Sequence, residues 1–85
     1  MTKKQMIQII QNAEATAYLA IKQSHQTYGV DSILTRMERR TFGTIVELMK
    51  ELKLKPDYTH PANQEGLKLM LEIDAAEAAS TLDRI

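Results

Sequence analysis

The side chains most suited to chemistry in this sequence are its two histidines, His25 and His60. Asp57 lies three positions before His60, but metal sites usually need three or four ligands and no further ligand is placed beside this pair. His25 shares a helical segment with Glu14 and Tyr18, which could support acid–base catalysis only if the fold gathered all three in a concave pocket. The sequence also lacks a glycine-rich phosphate loop, a nucleophile elbow and a paired-histidine zinc motif. We therefore predict that the protein is not an enzyme and has no catalytic, cofactor-binding or metal-binding residues.

A second candidate is a basic cluster in the segment TRMERRTFGTIVELM, which runs from Thr35 to Met49. If this segment is helical, four basic residues share the side away from its apolar positions: Arg36, Arg39, Arg40 and Lys50. We define these four residues as the basic strip, which could contact the phosphates of a nucleic acid. The competing interpretation is a solvated surface, or one that meets an acidic partner, because Glu38 and Glu47 dilute the positive charge.

Gly43 separates the two interpretations of this segment. If the helix breaks there, Thr44 and Glu47 have capping-box spacing, and the segment has the outline of a DNA-binding helix-turn-helix. If the helix continues, the apolar stripe through Thr41 and Ile45 keeps its phase, and a glycine costs roughly 1 kcal/mol. A helix starting at Thr44 would also be mostly apolar, with little to recognise bases. We predict the continuous helix.

Glycine and proline divide the chain into three segments with helical periodicity, which predict helices over about residues 3–28, 32–54 and 61–84. The expected N-terminal caps are Thr2 for the first helix, Asp31 or Ser32 for the second, and Thr59 or His60 for the third. Gly29 and Pro56 should end the first two helices. Because the connections are short, we predict an all-α fold: an elongated up-down-up antiparallel three-helix bundle in a single domain, residues 1–85, completed by dimerisation.

The helices carry more apolar positions than a single core face needs. For the second helix, which we expect to lie between the other two, the core stripe comprises Leu34, Met37, Thr41, Ile45, Leu48 and Leu52, flanked by Phe42, Val46 and Met49. For the third, it comprises Leu67, Met70, Leu71, Ala75, Ala78, Leu82 and Ile85. The opposite side of the third helix carries the candidate oligomer interface: Leu69, Ile73 and Ala76. Scattered surface hydrophobes are the alternative explanation of these three residues.

Composition limits the classes of function. An 85-residue chain without cysteine cannot be stabilised by disulfides, so association with another chain is the natural supplement to its small core. The net charge of zero argues against a dedicated nucleic-acid or membrane-surface protein, although residues 61–85 carry a net charge of −3 that could pair with basic surfaces.

The sequence has no apolar run of about 18 residues that would span a membrane. Gln8, Gln11 and Asn12 interrupt the apolar stretch that a signal peptide would need, so we predict an unprocessed cytoplasmic chain. The predicted function is a small non-catalytic helical protein that acts through protein–protein contacts, as a self-associating assembly, adaptor or regulatory module. Its partners would be a second copy in a homodimer and an unidentified protein. The alternative is a small nucleic-acid-binding regulator that uses Arg36, Arg39 and Arg40.

Overall fold

The computed structural model describes the backbone of residues 1–83 and the side chains of residues 1–79. Three α-helices span nearly all of this part of the chain, α1 (Lys3–Tyr28), α2 (Ile33–Glu51) and α3 (Pro61–Asp83), and it contains no strand. The prediction of an all-α, three-helix fold is confirmed. Helix α1 packs against α2 on one flank and against α3 on the other, whereas no Cα atoms of α2 and α3 lie within 8 Å of each other in the described residues. The central helix is therefore α1, and the prediction that α2 lies between the other two is wrong.

Local capping explains where α1 begins and ends. The Thr2 hydroxyl accepts a hydrogen bond from the Gln5 backbone N–H, and the Gln5 side chain accepts one from the Thr2 N–H, which completes a capping box. Gly29 ends the helix with a φ of 89°, a conformation that a residue with a side chain rarely adopts. Ser32 then caps α2 by accepting a bond from the Leu34 N–H. These three predictions from the sequence are confirmed.

The end of α2 differs from its prediction. The helix stops at Glu51 because Lys53 adopts a left-handed conformation with a φ of 57°. The Leu54 N–H donates to the Met49 carbonyl and the Lys53 N–H to the Lys50 carbonyl, which is the hydrogen-bond pattern of a Schellman motif. The helix thus ends before the restriction imposed by Pro56 applies. At the start of α3, the His60 imidazole accepts a bond from the Ala62 N–H, so His60 is a helix-start residue as predicted.

Two buried polar side chains hold the second and third helices in their rotational settings. The Thr35 hydroxyl, in the first turn of α2, donates to the Gly29 carbonyl at 2.9 Å, six residues back along the chain. The Asn63 amide, in the first turn of α3, donates to the Asp57 carbonyl at 2.8 Å, again six residues back. Each helix is thereby fixed to the loop that precedes it, with the polar residue turned toward α1.

In this orientation, the face of α2 that is turned inward differs from the predicted one. The inward face comprises Thr35, Phe42 and Met49, of which Thr35 and Met49 are 0% and 3% exposed. The predicted core stripe lies outside instead: Leu34, Met37, Leu48 and Leu52 are between 45% and 60% exposed.

The buried face of α3 also differs from the predicted one. Its buried residues are Asn63, Gly66 and Leu69, whereas Leu67 and Leu71 of the predicted stripe are exposed. The predicted positions of Leu82 and Ile85 lie outside the described side chains. Most of both predicted core stripes thus lies outside the core, which is formed by flanking or opposite positions. Ile45 and Met70 of the predicted stripes are half-buried, and the Met70 sulfur accepts a hydrogen bond from the Tyr18 hydroxyl.

The folded chain has a large surface for its mass. Its dimensions are 55 × 25 × 19 Å and its radius of gyration is 14.9 Å, against about 12 Å for a compact chain of this length. The accessible surface of 6374 Å² exceeds the roughly 5,100 Å² typical of a 9.7 kDa monomer. Buried apolar residues in the described part of the chain are few: Ala15, Ala17, Ile21, Met49 and Leu69.

Candidate functional site

The basic strip lies along one side of a helix that runs through Gly43 without interruption. All four of its side chains are exposed, and the Lys50 ammonium lies 3.8 Å from the Glu47 carboxylate. A methyl group added at Gly43 would meet no atom within 4 Å, so no neighbouring segment approaches the helix at this glycine. The helix-turn-helix outline required a break that the structure does not contain.

The residues proposed for the oligomer interface do not form an exposed apolar patch. Leu69 is 9% exposed within the single chain and Ile73 is half-buried, while Ala76 is exposed. Ile73 and Ala76 line a shallow groove of about 250 Å³ with residues of α1, including His25. The prediction that Leu69 and Ile73 point away from the core is therefore corrected, because the rotational setting of α3 turns both toward α1.

The three groups that would have been needed for catalysis are divided between two places. Glu14 and Tyr18 line one cavity near the middle of α1, whereas His25 lines the groove near its C-terminal end. The His25 Nε2 atom lies 3.8 Å from a carboxylate oxygen of Glu77 on α3. In the part of the chain that the structure describes, no group of three His, Cys, Asp or Glu side chains could hold a metal ion.

A broad apolar surface covers the outer side of α1 and α2. On α2 and its C-cap its exposed side chains are Leu34, Met37, Leu48 and Leu52, and on α1 they are Met6 and Ile9. Between the helices runs a groove of about 420 Å³ that is lined by Asn12, Ala13, Thr16, Ala17, Ala20, Glu38, Thr41 and Ile45. We define the six exposed side chains and this groove as the α1–α2 face. Seven-residue steps relate Met6 to Ala13 and Ala20, and Leu34 to Thr41 and Leu48, so each row stays on one side of its helix.

The opposite side of the molecule contains a cavity at the point where α2 and α3 diverge. It has a volume of about 200 Å³ and is lined by Glu14, Tyr18, Phe42, Pro56, Tyr58, Asn63 and Leu67. The Tyr18 and Phe42 rings are tilted against each other, with centroids 5.8 Å apart. Only Glu14 could bring a full charge into this otherwise mainly apolar lining. All three helices and the loop between α2 and α3 contribute, so the cavity depends on the tertiary fold.

The α2–α3 loop is held against α1 by side chains of both. Gln11 donates to the Lys55 carbonyl at 3.0 Å, and Gln8 donates to the Asp57 carboxylate at 3.4 Å. Asp57 also accepts bonds from the Thr59 hydroxyl and backbone N–H. The Thr59 hydroxyl, followed by Gln8 and the Thr59 backbone, lowers the pKa of the Asp57 carboxyl below its ordinary value. These bonds fix the loop that supplies the Pro56 and Tyr58 walls of the cavity.

Two negative charges and burial act on Tyr18 at the cavity. Burial makes the largest contribution to raising the pKa of its phenol above the ordinary value, and the carboxylates of Glu14 and Asp74 add to the increase. The phenol is therefore neutral near pH 7, where it donates to the Met70 sulfur at 3.6 Å. The Lys22 ammonium lies 5.3 Å from the centre of the Tyr18 ring, but Lys22 does not line the cavity.

The sequence interpretation missed the burial of Glu14 and Asn63, which are each 4% exposed. A signal for Glu14 was present, since it is the only acidic residue among the first 30 and is flanked in sequence by Ala13 and Ala15. No comparable local signal marks Asn63, whose burial follows from its bond to the Asp57 carbonyl. Tyr58 and Pro56 were assigned only to a loop.

None of the described helices is long and apolar enough to cross a membrane.

Comparisons with known proteins assign no function to the α1–α2 face or to the cavity at Glu14. No protein-family model, curated protein or solved structure matches this chain.

Proposed function

We propose that this protein is a small non-catalytic helical module that acts through protein–protein contacts, first with a second copy of itself. Its role would be that of an assembly, adaptor or regulatory protein. The observation that carries the proposal is the α1–α2 face, where the most regular apolar stripe of the chain lies outside its own core. Exposed apolar surface of this extent on a soluble domain is typical of an interaction site.

The size of the surface supports a second copy as the first occupant. The chain exposes about 1,300 Å² more than is typical for its mass, and a standard protein interface covers about 800 Å² on each partner. Covering the α1–α2 face would bring the exposed area close to that of an ordinary monomer. Because the core contains few large apolar side chains, association would also add stability that the single chain lacks.

The chemistry of the face supports the same occupant. The exposed row formed by Leu34, Met37, Leu48 and Leu52 is apolar, and Glu38 is the one charged residue that lines the groove beside it. The α1 row contributes small residues that allow another helix to approach closely. In a two-fold dimer each copy presents the same surface, so an apolar row meets an apolar row. Two helices from each copy would form a four-helix layer across the axis, with α3 outside it.

Sedimentation velocity and light scattering test this proposal across a series of protein concentrations. The expected mass is twice the 9.7 kDa of the chain. Leu48→Glu should weaken the dimer by about a hundredfold or more, because it removes two buried leucines from each dimer, each worth roughly 1.5–3 kcal/mol. Circular dichroism should show unchanged helix content, because Leu48 makes no contribution to the buried core.

Leu71→Glu provides the matched control, since Leu71 is a still more exposed leucine on the outer side of α3. The control should leave the dimer intact. A wild-type chain that remains monomeric at high micromolar concentration would refute self-association. Loss of the dimer in Leu71→Glu rather than Leu48→Glu would refute the α1–α2 face as its interface.

The alternative function is nucleic-acid binding through the basic strip, whose arginines form no ion pair within the described residues. It is the weaker candidate because α2 is a continuous helix and no aromatic side chain stands among the arginines to stack on bases. Electrophoretic mobility at low salt tests it. Binding that weakens steeply with salt and with charge reversal at Arg36, Arg39 and Arg40 would favour this alternative. We also propose a cytoplasmic location, which the absence of cysteine supports.

A further inference from the structure

The cavity between α2 and α3 contains an acidic group that is only partly satisfied by the chain itself. Glu14 is 4% exposed, and the hydrogen bond that reaches its carboxylate comes from the Asn63 amide at 3.4 Å. Hydrogen bonds to a carboxylate are usually 2.7–2.9 Å, and the shorter bond of the same amide, at 2.8 Å, goes to the Asp57 carbonyl. Within the described residues Glu14 forms no ion pair.

Burying a carboxylate without a positive partner is costly, so such groups are normally paired with a cation or bound to several donors. Glu14 has neither, yet it lines a cavity that is open for a ligand. The nearest candidate cation, the Lys22 ammonium, lies over the Tyr18 ring and not in the cavity. The chain thus provides a carboxylate in the cavity but no cation to pair with it, so the cation would come from a ligand.

The remaining walls define the rest of the ligand. Tyr18, Phe42 and Tyr58 provide aromatic surface, and Pro56 and Leu67 provide aliphatic surface. Aromatic faces attract cations, and aliphatic walls favour the carbon chain of the ligand over water. The volume of about 200 Å³ is smaller than the roughly 300–1,000 Å³ of most drug-sized sites, so it suits a single side chain or a small amine.

We propose that this cavity binds a primary alkylammonium group, with the charge at Glu14 and the carbon chain against Phe42 and Leu67. The group could belong to a free amine or to a lysine side chain, which present the same chemistry. The site lies on the opposite side of the molecule from the α1–α2 face, so the proposal does not depend on self-association. It adds a ligand-binding function to the proposed interaction module.

Titration with n-butylammonium, followed in ¹H–¹⁵N correlation spectra of the full chain, tests the proposal. We expect saturable shifts at Tyr18, Phe42 and the Asn63 side-chain amide. The neutral isostere n-butanol should bind at least tenfold more weakly, since it brings no positive charge to the Glu14 carboxylate. Equal responses to the amine and the alcohol would show a merely apolar cavity and would overturn the proposal on the unmodified chain.

Variants locate the acidic group. Glu14→Gln keeps the shape of the side chain and should weaken n-butylammonium binding by about tenfold or more. Glu72→Gln is the control, because Glu72 is an exposed acid of α3 outside this cavity. Equal loss in both variants, or no loss in Glu14→Gln, would contradict the assigned site.

A blocked lysine, Nα-acetyl-lysine N-methylamide, distinguishes the two sources of the ligand. It carries the same ammonium group on a peptide unit that must remain at the cavity entrance. Tighter binding of the blocked lysine than of n-butylammonium would assign the site to a protein side chain, and the reverse order would assign it to a free amine. Absence of binding by both would overturn the proposal. The Leu48→Glu variant should bind either compound as the wild type does, which separates this result from the test of self-association.

Discussion

Gly43 of α2 and Gly66 of α3 both lie inside helices, but the two glycines have opposite surroundings. A methyl group at Gly43 would stand in open space, whereas one at Gly66 would lie 2.5 Å from Cδ1 and 2.6 Å from Cε1 of the Tyr18 ring. The α3 flank of α1 therefore depends on a close approach that only glycine permits. The α2 flank has no such constraint at its glycine, and its outer side instead exposes the α1–α2 face.

The comparison shows what decides which side of a helix is buried in this protein. On α2 the most regular apolar stripe faces solvent, so apolar periodicity did not determine the packing. The bond from Thr35 to the Gly29 carbonyl orients α2, and the bond from Asn63 to the Asp57 carbonyl, with the fit at Gly66, orients α3. Steric fit and two buried hydrogen bonds thus select faces that the apolar pattern alone does not.

The largest expected effect is at the close approach itself. Gly66→Ala should lower the free energy of unfolding by about 3 kcal/mol, the upper part of the range for overpacked cores. The Tyr18 ring cannot easily move aside because it packs against Phe42 and its hydroxyl bonds to Met70. Urea unfolding followed by circular dichroism measures the loss.

A double-mutant cycle tests whether the Tyr18 ring causes the loss of stability in Gly66→Ala. In a Tyr18→Leu background, where the ring atoms are absent, Gly66→Ala should cost much less or should stabilise the helix. An equal loss in both backgrounds would mean that the ring is not the obstacle, and the difference between the flanks would need another origin.

The next effects concern the two orienting hydrogen bonds. Asn63→Ala should cost about 2 kcal/mol and Thr35→Val about 1 kcal/mol. The first is larger because it leaves two acceptors without their donor, the part-buried Asp57 carbonyl and the buried Glu14 carboxylate, whereas the second leaves only the Gly29 carbonyl. Thermal and urea unfolding of both variants give the order. A greater loss in Thr35→Val would contradict the importance assigned to the α3 flank.

Gly43→Ala tests the α2 flank, where we expect the substitution to raise the free energy of unfolding rather than lower it. Alanine has a higher helix propensity than glycine by about 1 kcal/mol, and the added methyl group meets no atom within 4 Å. The variant should be more stable than the wild type by 0.5–1 kcal/mol. A loss of stability would contradict the open surroundings of Gly43 and the difference between the two flanks.

Local signals were enough to predict the ends of α1 and the start of α2. The capping residues Thr2, Gly29 and Ser32 form hydrogen bonds with backbone groups only a few positions away along the chain. The end of α2 was misplaced by three residues because Lys53 adopts a conformation usually taken by glycine. That choice depends on the bonds of the Schellman motif and is not visible in the residue type.

The buried faces of α2 and α3 and the cavity at Glu14 could not be predicted from the order of the residues alone. Leu69 and Leu71 are equally apolar and only two positions apart, yet one is buried and the other is exposed. Their difference arises from the rotational setting of α3 against α1, which depends on contacts with distant residues such as Tyr18. The cavity at Glu14 likewise needs all three helices in place before its lining exists.

The smallest expected effect is a difference between the two flanks of α1 in how acid changes their stability. Hydrogen bonds lower the pKa of Asp57 in the folded chain, so its ionised form stabilises the fold above the ordinary aspartate pKa of about 3.9. This contribution is lost as the pH falls from there through the lowered pKa of the folded state. The loop on the α3 flank should therefore loosen in acid, whereas the Thr35 bond on the α2 flank contains no titrating group.

Asp57→Asn removes this contribution and should make the midpoint of urea unfolding less sensitive to pH below about 4 than that of the wild type. Thr59→Val should show a smaller change in the same direction, because the Thr59 hydroxyl makes the largest contribution to the shift and Gln8 still contributes. Thr35→Val should run parallel to the wild type across the whole pH range. Parallel profiles for Asp57→Asn and the wild type would mean that the acid response of the fold arises elsewhere, and the α3 flank would then differ from the α2 flank in packing alone.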